Sequence, residues 1–331
     1  MVTSGLHMPF PHRISPDLSR ARRHGLEWAV RTGMIASNEA ATYWSACRFP
    51  ELACLYWPYA TGEDVDLAVD TMTFYFFFDD QFDTDLGHRV ENVISVLEQL
   101  VDITRGTATA LRVPVAVAYA DIWRRCIQGM GQGWRDRAAG NWRTYFLGHV
   151  GEATDRVRGV VHRMDTYLAV RRCTVGAETS TDLCERLGQF EVPEEILAIP
   201  QLRVMRQLSC DILAHSNDLH SFYKERNHGE VNNLIRVTAR EHGSTDEEAV
   251  TVVREAGGRM MGRFLELDRE IPEVIQAVGE AYGDCITRYV DALKAAMRGY
   301  DEWGNMTARY RPDITGSTGL SYLEDLTGQR C

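Results

Sequence analysis

The chain has 331 residues, 44% of them hydrophobic, and 36 basic residues stand against 47 acidic ones for a net charge of −11. That length and apolar share suit one large core or two modest ones and exclude a disordered chain. The acidic balance excludes a general nucleic-acid or anionic-membrane surface, so an anionic ligand requires local basic groups or metal ions.

The opening stretch, MVTSGLHMPFPHRISPD, has no charged start followed by an apolar block and does not read as a secretory signal. No apolar run approaches the ~20 residues that a membrane-spanning helix needs. Eight cysteines are scattered without a C-x-x-C pair, which reads as reduced thiols filling space in a cytoplasmic protein. Apolar residues at three- and four-residue spacing predict helices over 17–34, 63–84, 113–136, 138–172, 199–225, 245–275 and 278–300. RFPE, TGED, RGT, EVPEE and RNHGE punctuate them, and none is a long flexible linker. With no internal repeat and no low-complexity tract, residues 1–331 read as one all-α domain.

The helix over 63–84 carries FYFFFDDQFDTD, an aromatic run set against carboxylates. Helical spacing places Asp79 and Asp83 one turn apart, with Tyr75, Phe76 and Met72 continuing that stripe downward. Hard cations such as Mg²⁺ take carboxylate oxygens and bind through one or two protein carboxylates plus substrate phosphates, so Asp79, Asp80 and Asp83 offer an open metal site. The alternative is a buried aromatic helix with a solvated acidic end.

Further on, YLAVRRCTVG at 167–176 ends a helix with two arginines before the helix-breaking TVGAETST. Arg171 or Arg172 either complements the helix dipole or grips a phosphate. In NDLHSFYKE, Asn217, Ser221 and Glu225 recur every four residues, lining one face with an amide oxygen, a hydroxyl and a carboxylate. This is a second oxygen-ligand set, with Lys224 beside it to meet an anion on the same metal; the other reading is a polar outer face. Beyond residue 303 helical periodicity is lost, and the tail is either frayed or a mobile lid over 303–331 carrying Arg309 and Tyr310.

The order D-D-x-x-D, an arginine 46 residues before N-D-x-x-S-x-x-K-E, and a C-terminal Arg-Tyr pair resembles the class I terpene cyclases of bacteria, specifically their sesquiterpene synthases. FPHRISPD, YWPYATGEDVDLAVD, YADIWRR, NWRTYF and GQFEVP extend the likeness over nearly the whole chain. The resemblance implies a helical bundle with a deep central apolar cavity, and cyclisation of farnesyl diphosphate with three Mg²⁺ ions bound together with diphosphate. It implies metal ligation by Asp79, Asp83, Asn217, Ser221 and Glu225. Arg171, Lys224 and Arg309 would hold the diphosphate with Tyr310 beside them, and Asp80 would pair with Arg309 on closure.

Ionising an allylic diphosphate needs charge neutralised at the leaving group, and the carbocation left behind must be kept from water by aromatic faces that offer no nucleophile. Phe76 and Tyr75 are expected to line that cavity, with Trp303 near the closing segment and Phe77 and Phe78 in the core. Each aromatic has plain core packing as its alternative. Geranyl or geranylgeranyl diphosphate are the substrate alternatives, and a chain-elongating prenyl transferase would need a second aspartate-rich motif where this chain has Asn, Ser and Glu. From another class, a helical lipid- or metal-binding protein would bind Mg²⁺ tightly without diphosphate. The expected partner is a small prenyl diphosphate, with no nucleic acid and no membrane anchor, in a monomer or homodimer.

Overall fold

The computed structural model describes residues 5–108, 110–227, 232–311 and 325–328. Among them fourteen α-helices follow one another: α1 (Leu18–Arg31), α2 (Asn38–Cys47), α3 (Phe49–Tyr56), α4 (Glu63–Phe82), α5 (Val90–Arg105), α6 (Pro114–Cys126), α7 (Gln132–Arg158), α8 (Met164–Thr174), α9 (Ala177–Gly188), α10 (Glu194–Leu197), α11 (Pro200–Asn227), α12 (Leu234–His242), α13 (Asp246–Val278) and α14 (Gly283–Met306). The all-α expectation holds. None of these helices is long and apolar enough to cross a membrane.

α4 is the central element, because seventeen of its twenty residues are buried. It packs against α1, α3, α6 and α9, while α11 lies against α9, α13 and α14. Burying the first half of α4 all round also buries Asp64, Asp66 and Asp70, and each finds a partner: Arg20 for Asp66, Arg186 for Asp64, and Arg125 with His24 for Asp70. A buried carboxylate without such partners is strongly destabilising. The C-terminal ends of α4 and α11 meet across a mouth, and residues 307–311 lie over it.

Helix boundaries depart from the sequence expectation where glycine permits a left-handed backbone. The single helix predicted over 113–136 is broken after Cys126, with Gly129 at φ 77°. The one over 138–172 is broken at Gly159, at φ 63°, so that Arg171 belongs to a separate short helix, α8. TVGAETST breaks the helix only at Val175 and Gly176, and α9 begins at Ala177. Helices α2, α3, α5, α9, α10 and α12 lie outside the predicted segments. α14 runs on to Met306, so Trp303 is helical and not part of a loose tail.

After α14 the chain is pinned: Thr307 Oγ1 donates to Cys47 O at 2.8 Å and Ala308 N–H to Ala46 O at 3.2 Å, with Arg309 and Tyr310 buried. At 325–328, Leu326 N–H donates to Gln81 Oε1 at 3.2 Å. Residues 312–324 and 329–331 of the expected lid lie outside the described residues.

Candidate active site

Three stretches distant in sequence meet at the mouth. The first is the last turn of α4, where Asp79 is half-exposed, Asp80 fully buried and Asp83 exposed. Arg309 clamps Asp80 with two parallel bonds, Nη1 to Oδ2 at 2.7 Å and Nη2 to Oδ1 at 2.6 Å, and Nη2 lies 4.0 Å from Asp79 Oδ2. Tyr43 Oη accepts a third bond from Arg309 at 2.7 Å, and the guanidinium carbon sits 4.7 Å above the centre of the Phe76 ring. The Asp80–Arg309 pair expected on closure is thus formed in this structure.

The second stretch is the C-terminal half of α11. Lys224 Nζ reaches across to Asp80 Oδ1 at 3.2 Å and Asp83 Oδ2 at 3.4 Å, joining the two helices. Burial and the Arg309 charge lower its pKa, but Asp80, Asp83 and Asp79 outweigh them and hold it above the ordinary lysine value. Asn217 Nδ2 donates to Tyr300 Oη at 2.6 Å and Tyr310 Oη at 3.3 Å, while its Oδ1 accepts from Arg171 Nη2. Glu225 accepts from Asn233 Nδ2 at 2.9 Å, and burial with the Asp218 carboxylate nearby pushes its carboxyl up to about 7.

The third stretch is α8. Arg171 Nε donates to Asp218 Oδ1 at 2.9 Å, and Asp218 is itself held by the Tyr167 hydroxyl and by Leu234 N–H at 3.1 Å. Arg172 turns the other way, onto Asp211, with bonds of 2.7 and 2.9 Å. Of the two arginines left open by the sequence, Arg171 is the one that faces the site.

The aromatic stripe divides. Phe76 stacks on Phe49 at 5.0 Å and meets Trp303 at 5.1 Å on the Arg309 side. Tyr75 lies on the α7–α9 side, stacked on Trp142 at 5.2 Å, its hydroxyl donating to Thr179 Oγ1 at 2.6 Å. Phe77 and Phe78 are buried as core residues, as expected. Trp303 is fully buried with Nε1 donating to Cys47 O at 2.8 Å, so it backs the Phe76 ring as part of the core.

The donors fit a hard divalent cation. Carboxylates stand on one side, an amide, a hydroxyl and a carboxylate on the other, and the buried Ser221 Oγ has no hydrogen-bond partner among the described residues. Asp79 is raised above the usual carboxylate range by partial burial and by the Asp83 and Asp80 charges, with His149 and Arg309 pulling it back. A cation set against this carboxylate cluster would relieve that repulsion. Among the described residues no three His, Cys, Asp or Glu side chains already form a metal cage. Asp218, Tyr43, Tyr300 and Asn233 escaped the sequence reading. Only Asp218, beside Asn217 in the motif, carried a local signal.

A family profile described as "Terpene synthase family 2, C-terminal metal binding" matches residues 70–260. Pentalenene synthase of Streptomyces exfoliatus is 35% identical over 325 residues, covering 97% of this chain and 96% of that one. The (−)-beta-caryophyllene synthase of Saccharothrix espanaensis, described as (2E,6E)-farnesyl diphosphate cyclizing, is 36% identical over 332 residues, covering 98% and 94%. The crystal structure of germacradien-4-ol synthase from Streptomyces citricolor superimposes with a TM-score of 0.84 at 38% identity, covering 92% of this chain and 98% of that one.

Proposed function

This chain belongs to the terpene synthase family as a class I enzyme, a lyase, and from that premise we propose that it is a Mg²⁺-dependent sesquiterpene cyclase acting on farnesyl diphosphate. The observation that carries the reading is convergence: Asp79, Asp80 and Asp83, Asn217 with its α11 companions, Arg171 and Arg309 meet at one mouth although they are spread over 231 residues of sequence. The relative described as cyclizing farnesyl diphosphate supports the fifteen-carbon substrate. The protein is one cytoplasmic domain in which Arg309 and Tyr310, just beyond α14, close the mouth of an apolar cavity.

Asp79 and Asp83 on one side, and Asn217, Ser221 and Glu225 on the other, would hold three Mg²⁺ ions together with the diphosphate. The metal supplies charge neutralisation at the leaving group. Arg171, Lys224 and Arg309 add hydrogen-bond donors to the diphosphate oxygens, and Tyr310 stands beside them. The carbon–oxygen bond breaks with its electron pair leaving on the diphosphate oxygen, and the allylic cation is attacked by a distal double bond of the same chain. A proton then passes from the cyclised cation to an oxygen of the departed diphosphate, its C–H electron pair forming the double bond of a cyclic hydrocarbon. Phe76, stacked on Phe49 and lying under the Arg309 guanidinium, keeps water away from the cation and holds that arginine over the mouth. In this structure Arg171 holds Asn217 and Lys224 holds Asp80 and Asp83, so these two donors exchange an internal acceptor for the substrate, while Arg309 keeps Asp80 as its partner on closure.

Purified protein incubated with geranyl, farnesyl and geranylgeranyl diphosphates plus Mg²⁺, then extracted for gas chromatography and mass spectrometry, is expected to yield a cyclic sesquiterpene from the farnesyl substrate and nothing in excess EDTA. A product only from another chain length would reassign the substrate. Turnover undiminished in EDTA would overturn the metal dependence.

A further inference from the structure

Asp301, on α14, is 8% exposed and binds four groups from three parts of the chain. Its Oδ1 accepts from the Leu6 backbone N–H at 3.0 Å and from Ser216 Oγ at 3.0 Å, and lies 3.2 Å from His220 Nε2. Oδ2 accepts from Asn305 Nδ2 at 3.3 Å. These are an amide N–H, a hydroxyl, an imidazole and a carboxamide, and a desolvated carboxylate is tolerated only while such donors satisfy it. The hub is tightly built. A Cβ at Gly5 would stand 2.2 Å from Asp301 Oδ1, and one at Gly304 would stand 2.4 Å from the His220 ring.

Two of the partners, Ser216 and His220, lead to the site. Ser216 immediately precedes Asn217 and His220 immediately precedes Ser221, so the hub grips α11 at both of these candidate ligands. The His220 ring is stacked on Tyr310, centroids 5.9 Å apart and planes at 14°. Tyr310 Oη in turn bonds Tyr300 at 2.9 Å and accepts from Asn217. On the other side the N-terminal segment is anchored by Leu6, Met8 and Phe10, all buried, and by Arg298 Nη1 donating to Met8 O at 3.2 Å.

We propose that Asp301 is a positioning residue for the reaction: it locks segment 5–10, the candidate metal-ligand face of α11 and the Arg309–Tyr310 arm into one register, so that segment 5–10 supports the site. This rests on the cyclase reading for the reaction it steers, but the coupling itself is a property of the fold. Asp301→Asn keeps the shape and removes the charge that all four donors share. Leu6→Pro removes the N–H at the far end, together with the buried leucine side chain, and leaves Asp301 and its other three partners in place. His220→Phe keeps the stack on Tyr310 and loses the contact to Asp301.

In each variant the KM for farnesyl diphosphate is expected to rise about tenfold, the scale of one hydrogen bond to a charged group, and the products to shift toward acyclic or hydroxylated terpenoids. Amide hydrogen exchange is expected to accelerate in 216–223 and 307–311 together, and not in α5. A hub that merely stabilises the fold would lower the melting temperature and leave KM and product ratio of the folded fraction unchanged, and that result overturns the proposal. If Asp301→Asn does not fold, Leu6→Pro carries the same comparison. If the wild type turns over no prenyl diphosphate, the cyclase reading fails by itself, and the exchange pattern still decides: joint acceleration supports the coupling, unchanged exchange refutes it.

Discussion

Phe76 and Phe78 stand two residues apart on one helix and do different work. Phe78 is wholly buried among Phe74, Phe82 and Phe146, whereas Phe76 lies under the Arg309 guanidinium at the mouth. Phe78→Ala opens a hole in the core and is expected to cost about 3–5 kcal/mol of stability, read as a lower melting temperature. Phe76→Ala removes a ring face worth about 0.5–2 kcal/mol to a cation, so turnover should fall and products shift toward early-terminated terpenoids with little loss of stability. A purely thermal defect in Phe76→Ala, with an unchanged product ratio, would make it a core residue. Residues of this kind were legible when their signal was local: Asp79 and Asp83, or Asn217, Ser221 and Glu225, lie within a few turns of one helix. Tyr43, which bonds Arg309 across 266 residues, and Asp301, which bonds Leu6 across 295, had none. Nothing in a tyrosine's immediate neighbours announces the arginine it will meet.

At the level of helices, the same distinction separates α5 from α9. α5 buries Val93, Val96, Leu97 and Leu100 at regular helical spacing, a stripe that is plain in the sequence although the predicted segments omit it. α9 could not be read that way, since its buried face includes Thr179, Ser180, Asp182 and Glu185. Those polar groups are tolerable only because α7 and α11 bring arginines to them. Arg137 donates to Asp182 at 3.1 Å and to Glu185 at 2.5 Å, and Arg206 donates to Asp182 at 2.8 Å. Burial, with Asp182 beside it, pushes the Glu185 carboxyl from 4.5 up to about 7 against the pull of Arg137. The folded state therefore holds this proton more tightly than the unfolded chain. Its contribution to stability is full below the unfolded value and is lost as pH rises through about 7, a change of no more than about 3 kcal/mol. Melting curves between about pH 5 and pH 8 should show wild type losing more stability on alkalisation than Glu185→Gln. Parallel curves would mean that Arg137 keeps Glu185 ionised throughout.

Across the whole molecule, a net charge of −11 would have to accommodate the proposed diphosphate, and among the described residues there is no ready-made metal cage to offset it. Lys224 joins the acidic end of α4 to α11 in this structure, and the Arg309 clamp ties Asp80 to the segment after α14, internal charges that satisfy one another. Neither ligand alone can replace both partners. Mg²⁺ by itself would face Asp79 and Asp83 with Lys224 and Arg309 still close by, and diphosphate by itself would meet uncompensated carboxylates. Bound together they supply the cation that the carboxylates need and the anion that Arg171, Lys224 and Arg309 need. Binding should therefore be strongly coupled, and by linkage diphosphate must tighten Mg²⁺ by the same factor that Mg²⁺ tightens diphosphate, about ten- to a hundredfold for a coupling of this kind. Calorimetric titration of each ligand, alone and with the other saturating, measures both factors. Under the proposed ligand set Asn217→Ala removes a ligand from one side only, and is expected to erase most of the coupling while leaving the helical circular dichroism unchanged. Mg²⁺ binding that is as tight without diphosphate as with it would mean a preformed metal site, the behaviour of a metal-binding protein and not of an enzyme assembled around its leaving group.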